Sequence, residues 1–458
     1  MNSEFRNIPS VDQILSDVRM SDLLDTFPHS VLLKNTRKQL DIVRESIVAG
    51  GNCPPVEEII RAIEGSVKYL TRERLFPVIN ASGVIVHTNL ERAPLSDDTI
   101  QAMDRISHGY SNLEYDIARS KRGSRHTHIE ELVCELTGAE SALVVNNNAA
   151  GVLLALTALA KRKEVIVSRG QAVEIGGSFR IPDVMRQSGA KLIEVGTTNC
   201  TYGSDYQNAI NERTVALMRV HSSNFKLVGF INEVSLEELC EVGTRYDLPV
   251  FDDLGSGCFL DTEVFGLEHE PTIQESIASG AGLTFFSGDK LVGGPQAGII
   301  AGKKLYVDKI KKHPLARAIR IDKIRLAGIA ATLIHYIKGE ATEKIPVWRM
   351  ISTPIEDIDK RARKWADALE VKAEIIDGET MVGGGSLPGG TLPTKLLALQ
   401  GKSKTDVKTV QRYSALLRDL ETPIIGRIND DTLLLDPRTV LPEDDARVIA
   451  GLKVLKGK

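Results

Sequence analysis

The stretch Phe285-Phe286-Ser287-Gly288-Asp289-Lys290-Leu291-Val292-Gly293-Gly294-Pro295-Gln296 decides the reading of this chain. An apolar, strand-like run ends at Ser287, and a lysine follows three residues later inside a glycine-rich turn. Open α/β sheets gather their ligands at the carboxyl ends of strands, so Lys290 stands where chemistry is expected. A buried lysine with a depressed pKa can form a Schiff base with an aldehyde. Ser287 is spaced to hydrogen-bond a phosphate on the same molecule. The competing reading is a solvated turn lysine, and the segment alone does not decide between them.

Two upstream strings do. Phe251-Asp252-Asp253-Leu254-Gly255-Ser256-Gly257 closes another apolar run with paired carboxylates. An aldehyde cofactor of the pyridoxal 5'-phosphate kind needs an anion beside its ring nitrogen, so that the nitrogen stays protonated and the ring withdraws electrons. Asp253 opens the turn and is the favoured partner, with Asp252 as the alternative; a helix cap or plain turn is the bland explanation. Val144-Val145-Asn146-Asn147-Asn148-Ala149-Ala150-Gly151 runs from a strand through asparagines into an alanine-rich helix. Amides and the positive dipole end at Asn147, Asn148 and Ala149 suit a phosphate, against the plain alternative of asparagine capping. Phosphate-type helix start, strand-end aspartate and strand-end lysine, in that order, indicate a fold-type-I pyridoxal-phosphate enzyme.

The surrounding pattern agrees. Candidate strands at 84–87, 142–145, 165–168, 191–195, 216–220, 248–252, 283–286 and 298–301 alternate with helical stretches, as in an α/β domain with a mostly parallel sheet. This large catalytic domain is expected over 76–325. Residues 1–75 read as a helical domain. Ser10 and Gln13 form a capping box ahead of a Val11, Ile14, Leu15, Val18 stripe, a second helix spans about 30–49, and a third follows Pro54-Pro55. A long helix over about 318–340 leads into a smaller C-terminal α+β domain, 326–458. The run Gly383-Gly384-Gly385-Ser386-Leu387-Pro388-Gly389-Gly390 has no G-x-G-x-x-G register and reads as a loop.

Composition bounds the rest. With 458 residues, 42% hydrophobic and 26% charged, the chain has the mix of a globular protein, which excludes wholesale disorder and fibrous repeats. The near-apolar run from Ala149 to Ala160 is too short to span a bilayer, and the polar N-terminus lacks a signal core, so a cytoplasmic protein without membrane contact is expected. Five cysteines without a C-x-x-C pair speak against disulfides and a metal site. Net charge is −4, but basic residues cluster at Arg119, Lys121, Arg122, Arg125 and again over 303–325, as suits phosphate-bearing substrates.

Several long strings carry a family resemblance: Asn80-Ala81-Ser82-Gly83 through His87-Thr88-Asn89-Leu90, Arg122-Gly123-Ser124-Arg125-His126, and Val145-Asn146-Asn147-Asn148-Ala149-Ala150. Val173-Glu174-Ile175-Gly176-Gly177, Arg180-Ile181-Pro182-Asp183-Val184-Met185-Arg186, Val195-Gly196-Thr197-Thr198-Asn199 and the two strings around Asp253 and Lys290 extend it. The chain resembles the bacterial selenocysteine synthase family from its N-terminal helices to its C-terminal domain. The resemblance implies conversion of seryl-tRNA(Sec) and selenophosphate to selenocysteinyl-tRNA(Sec) through a dehydroalanyl-tRNA intermediate. It implies Lys290 as the Schiff-base lysine, Asp289 as an active-site residue, and Arg92, Arg317 and Arg320 as the selenophosphate-binding arginines. It also implies tRNA binding by the N-terminal helices and a homo-oligomer, a ring of dimers. One departure is visible: Glu91 stands where the family usually has glycine, and a carboxylate there could pair with Arg92. Arg317 and Arg320, three apart, are expected on one face of a helix. Lys34, Arg37, Lys38 and Arg44 are the best local tRNA candidates in a region without net positive charge.

The main rival is a pyridoxal-phosphate lyase acting on a small amino acid or sugar acid, which would share the lysine and aspartate strings. The N-terminal helical domain and the arginine set argue against it. A protein that only binds RNA has no need of Lys290 and Asp253.

Overall fold

Runs rich in Val, Ile, Leu and Phe between residues 141 and 302 pair into a seven-stranded sheet. Its order is Ser141–Val145, Gly298–Gly302, Leu283–Ser287, Val250–Gly255, Thr214–Val220, Glu164–Ser168, Lys191–Val195. In the computed structural model, which describes residues 3–176, 179–401 and 407–455, every pairing is parallel except the two made by Gly298–Gly302. Sheets of this kind are covered on both faces, so their strands read as continuous apolar runs. Every residue of Ser141–Val145, Glu164–Ser168, Leu283–Ser287 and Gly298–Gly302 is buried accordingly. The helix Asn148–Leu159 lies on one face, with Val152, Ala155 and Leu156 in a core shared with Phe285 and Ile300. Gly298 permits that approach: a side chain there would collide with the backbone of Asn147 and Asn148.

A second, five-stranded sheet runs Arg427–Asn429, Thr432–Leu435, Thr391–Gln400, Ala373–Gly383, Val84–Val86. Its last strand comes from far upstream and pairs in parallel, Val84 with Met381 and Val86 with Gly383. Ile79–Asn80 likewise pairs with Ile424–Ile425. Residues Val78–Lys458 therefore form one compact unit, and the expected division near residue 325 falls inside it. The helices Ile355–Ala366 and Val407–Arg418 bury Trp365, Val410 and Leu417 against Leu397, Leu399 and Leu433.

Met1–Pro77 is a unit of its own. The Ser10/Gln13 capping box is formed, and the helices His29–Val48 and Val56–Thr71 bury Leu32, Leu40, Ile47, Ile60, Ile63 and Val67 in a private core. Leu70, near the end of Val56–Thr71, is exposed.

The expected 318–340 helix is corrected. A short helix, Pro314–Ala318, ends at Ile319; Arg320 is extended and bridges Val145, and only Lys323–Ile337 is a long helix. The cause is local. The carboxylate of Asp322 accepts from the amides of Ile324 and Arg325 and starts a new helix there. Arg317 and Arg320 are thus not on one helix. Among the described residues no helix is long and apolar enough to cross a membrane, and all five cysteines are free thiols.

Candidate active site

The strand Leu283–Ser287 ends in a tight turn that aims Lys290. The Gly288 amide donates to the Ala297 carbonyl at 2.9 Å, Gly294 to Gly288 at 2.8 Å and Gly293 to Lys290 at 3.0 Å. Lys290 is buried at the wall of a cavity of about 530 Å³ that is also lined by Arg92, Asn147, Asn148, Ala149, Asp253, Ser287 and Asp289. Burial pushes its amine below the ordinary lysine pKa, Arg92 adds to the fall, and Asp253 and Asp289 oppose it.

The paired aspartates separate because successive strand residues face opposite ways. Asp252 turns from the cavity to Arg219, whose Nε and Nη2 donate at 2.7 and 3.1 Å, and to the Ser276 hydroxyl at 2.6 Å. Asp253 faces the cavity. Its Oδ1 accepts from Asn148 Nδ2 at 2.9 Å, and its Oδ2 is buried without a hydrogen-bond partner. Burial raises this carboxyl to about 6, partly countered by Asn148 and Lys290. Asn147 caps the helix Asn148–Leu159, its Oδ1 accepting from the Ala150 amide at 2.9 Å.

A further part of the lining comes from Thr88-Asn89 and the turn after them, where Glu91 and Arg92 both take left-handed backbone, φ 68° and 65°. Arg92 Nη1 reaches Asp289 Oδ2 at 2.5 Å, so its carboxylate partner is Asp289. His221 also lines the cavity; its amide donates to the Asp253 carbonyl at 2.9 Å, and its ring Nε2 lies 3.3 Å from the nearer oxygen of the buried Glu270. Of these, Thr88 and Asn89 sit in a string already singled out, whereas Glu270 carries no signal in its sequence neighbourhood.

Arg317 and Arg320 do not reach this cavity. They line a second one, of about 230 Å³, with Arg122, Arg125, His126 and Lys311, and among the described residues none lines both. The two basic clusters of the sequence meet here. Glu114 offsets part of the charge, accepting from Arg125 Nε at 3.0 Å and lying 3.9 Å from Arg320. Burial, with Lys311 and Arg125 nearby, lowers the His126 pKa.

The Lys290 cavity fits pyridoxal phosphate. It offers a depressed amine, a buried carboxylate oxygen lacking a donor, and a hydroxyl at Ser287 beside a capped helix start. Residues 78–441 match the family described as L-seryl-tRNA selenium transferase, and residues 5–44 match selenocysteine synthase N terminal. The chain belongs to the L-seryl-tRNA selenium transferase family. Members of that family similar to it include proteins named L-seryl-tRNA(Sec) selenium transferase from Geobacter sulfurreducens and Carboxydothermus hydrogenoformans. The first is 47% identical over 98% of this chain and 99% of its own length, the second 46% over 96% and 95%. The family string at 173–177 ends at Gly177, which lies outside the described residues. Among solved structures, one titled D-glucosaminate-6-phosphate ammonia-lyase shares the fold, with a TM-score of 0.59 and 23% identity over 83% of this chain and 95% of that one. The family member described here thus has the fold-type-I pyridoxal-phosphate architecture.

Proposed function

We propose that the Lys290 cavity is where this chain, a pyridoxal-phosphate enzyme of the L-seryl-tRNA selenium transferase family, converts L-seryl-tRNA(Sec) to L-selenocysteinyl-tRNA(Sec) with selenophosphate. The observation that carries the assignment is a buried amine at a strand end, with the partnerless Oδ2 of Asp253 in the same cavity. The cofactor, when bound, supplies a sink for the electron pair left at the α-carbon of serine. Lys290 Nζ anchors it and, once released, takes the α-proton and later returns it; burial lowers its pKa, the direction that suits a base. Asp253 Oδ2 holds a proton at the cofactor's ring nitrogen, and Asn148 fixes the carboxylate's rotation. Ser287 and the amides at Asn148 and Ala149 bind its phosphate.

Arg92 meets the selenophosphate, with Asp289 holding its guanidinium in place. Arg317 and Arg320 serve the same anion from a neighbouring copy, since within one chain they line a different cavity. The working unit is therefore a homo-oligomer. The N-terminal unit binds the tRNA body, and Lys34, Arg37, Lys38 and Arg44, all exposed along His29–Val48, contact its phosphates. The enzyme acts in the cytoplasm. The full-length relatives named as transferases favour this reading over a small-molecule lyase.

The test is an anaerobic assay of the purified protein with seryl-tRNA(Sec), radiolabelled in serine, and selenophosphate. Labelled selenocysteine on the tRNA is expected. Unchanged serine from a protein that retains its cofactor's visible absorbance would sink the assignment and redirect it to small-molecule lyase substrates.

A further inference from the structure

The glycine-rich run 383–390 reads in the sequence only as a loop, yet it ends up against the reactive lysine. It joins Ala373–Gly383 to Thr391–Gln400 in the smaller sheet. A methyl group placed on Gly385 would stand 2.7 Å from Lys290 Nζ, 2.8 Å from its Cε and 3.4 Å from its Cδ. The outer half of the lysine therefore lies along bare backbone. Gly255 is also near: a methyl there would stand 3.6 Å from Nζ and 3.5 Å from Ser223 Oγ. The amine thus rests in a slot close to two glycines, one in a strand of the larger sheet and one in a loop of the smaller.

The loop is a fixed wall. The Val382 amide donates to Gly390 at 3.0 Å and the Gly390 amide to Leu387 at 2.8 Å, while Ser386 and Leu387 are buried. A methyl on Gly384 would stand 3.0 Å from Thr88 Cγ2, and Gly383 pairs with Val86, two residues before Thr88 of the cavity lining. The wall and the Arg92 turn thus leave the same edge of the smaller sheet together.

We infer that Gly385 is a positioning residue for Lys290: its missing side chain reserves the place where the amine rests whenever it is not bonded to the cofactor. The inference rests on the reading of Lys290 as the cofactor-bearing lysine. An amine kept in this slot stays beside the reacting atoms once it is released from the cofactor, whereas one displaced by a methyl group still anchors the cofactor but is misplaced for the proton transfer. Misplacement by about 1 Å costs on the order of a hundredfold in rate.

Gly385 has φ +84°, so an alanine there also strains the backbone. The same loop supplies the control. Gly389 has φ +77° and nothing within 4 Å of a would-be methyl, so Gly389→Ala carries like strain without touching the lysine. Both variants are purified, stripped of cofactor and mixed with pyridoxal phosphate. Return of the visible band follows formation of the bond between Nζ and the cofactor aldehyde, with loss of water. Gly385→Ala is expected to regain the band and to turn over about a hundredfold more slowly than wild type, and Gly389→Ala within about twofold. Equal behaviour of the two variants overturns the inference. Lys290→Ala is run alongside; if it regains a stable lysine-type band, the Lys290 reading itself has failed. Should Gly385→Ala not fold, Gly385→Ala/Lys290→Ala must fold as well as Lys290→Ala/Gly389→Ala, because the clashing side chain is gone. A double variant that also fails to fold overturns the proposal.

Discussion

Replacing Asp253 by asparagine should act in opposite directions on the bare chain and on its cofactor complex. In the bare chain the carboxyl is 2% exposed, bonded to Asn148 through one oxygen and partnerless at the other, and burial lifts it from 3.8 to about 6. At 1.36 kcal/mol per pH unit, holding it ionised costs the folded chain about 3 kcal/mol. The folded pKa lies above the unfolded one, so the folded state keeps its proton longer. Below about pH 4 both states are protonated and no penalty exists; between 4 and 6 stability falls as pH rises; above 6 the whole penalty applies. An asparagine is uncharged like the protonated acid, but its amide leaves two N–H groups unpaired where the acid leaves one O–H. Relative to wild type, stripped Asp253→Asn should therefore gain up to about 3 kcal/mol between pH 4 and pH 8. With cofactor present, the variant loses a hydrogen bond between charged groups, worth about 1.5–3 kcal/mol, and binds about 10- to 150-fold more weakly. Urea midpoints of the stripped proteins at several pH values, and a spectroscopic titration with pyridoxal phosphate, measure the two effects. A stability difference that does not move in the variant's favour as pH rises from 4 to 8 would refute the reasoning.

Three other outcomes follow from the same structure. Lys290→Ala chains co-assembled with Arg317→Ala/Arg320→Ala chains should recover about a quarter of wild-type activity, because random pairing leaves one intact composite site in half of the dimers; no recovery would mean that each chain uses its own arginines. Glu91→Gly should raise the urea midpoint by the equivalent of about 0.5–1 kcal/mol, the relief of a left-handed glutamate less the flexibility glycine adds to the unfolded chain. A protein beginning at Val78 should keep its visible cofactor band and lose reaction with seryl-tRNA(Sec), and full activity in that protein would remove the N-terminal unit from tRNA binding.

Much of this was legible from local chemistry. Buried parallel strands announce themselves as β-branched runs, so the strands found in 141–302 lie within a few residues of those expected. The three strings around Asn147, Asp253 and Lys290 meet because all lie at strand ends on one edge of one sheet, and chain order plus topology sufficed to bring them together. Sequence favoured Asp253 over Asp252 from its place at the turn but left Asp252 open, since the choice depends on which face of Val250–Gly255 looks into the cavity, a matter of register with neighbours. Spacing misled at Arg317 and Arg320. An i, i+3 pair suggests one helix face, but the Asp322 cap and the bridge from Arg320 to Val145 break the helix between them. Gly385 and Glu270 were invisible for a third reason: their importance lies wholly in contacts with residues far away in the chain.

The pairing of Val84 with Met381 has a consequence for biosynthesis. The upstream strand emerges from the ribosome roughly three hundred residues before its partner, a wait of about 15–60 s at ordinary elongation rates. Until then its edge is unpaired, and the turn bearing Arg92 has no sheet to hold it. The seven-stranded sheet can close while the C-terminus is still being made, but the wall beside Lys290 cannot. A chain truncated before Met381 would therefore carry Lys290 without that enclosure.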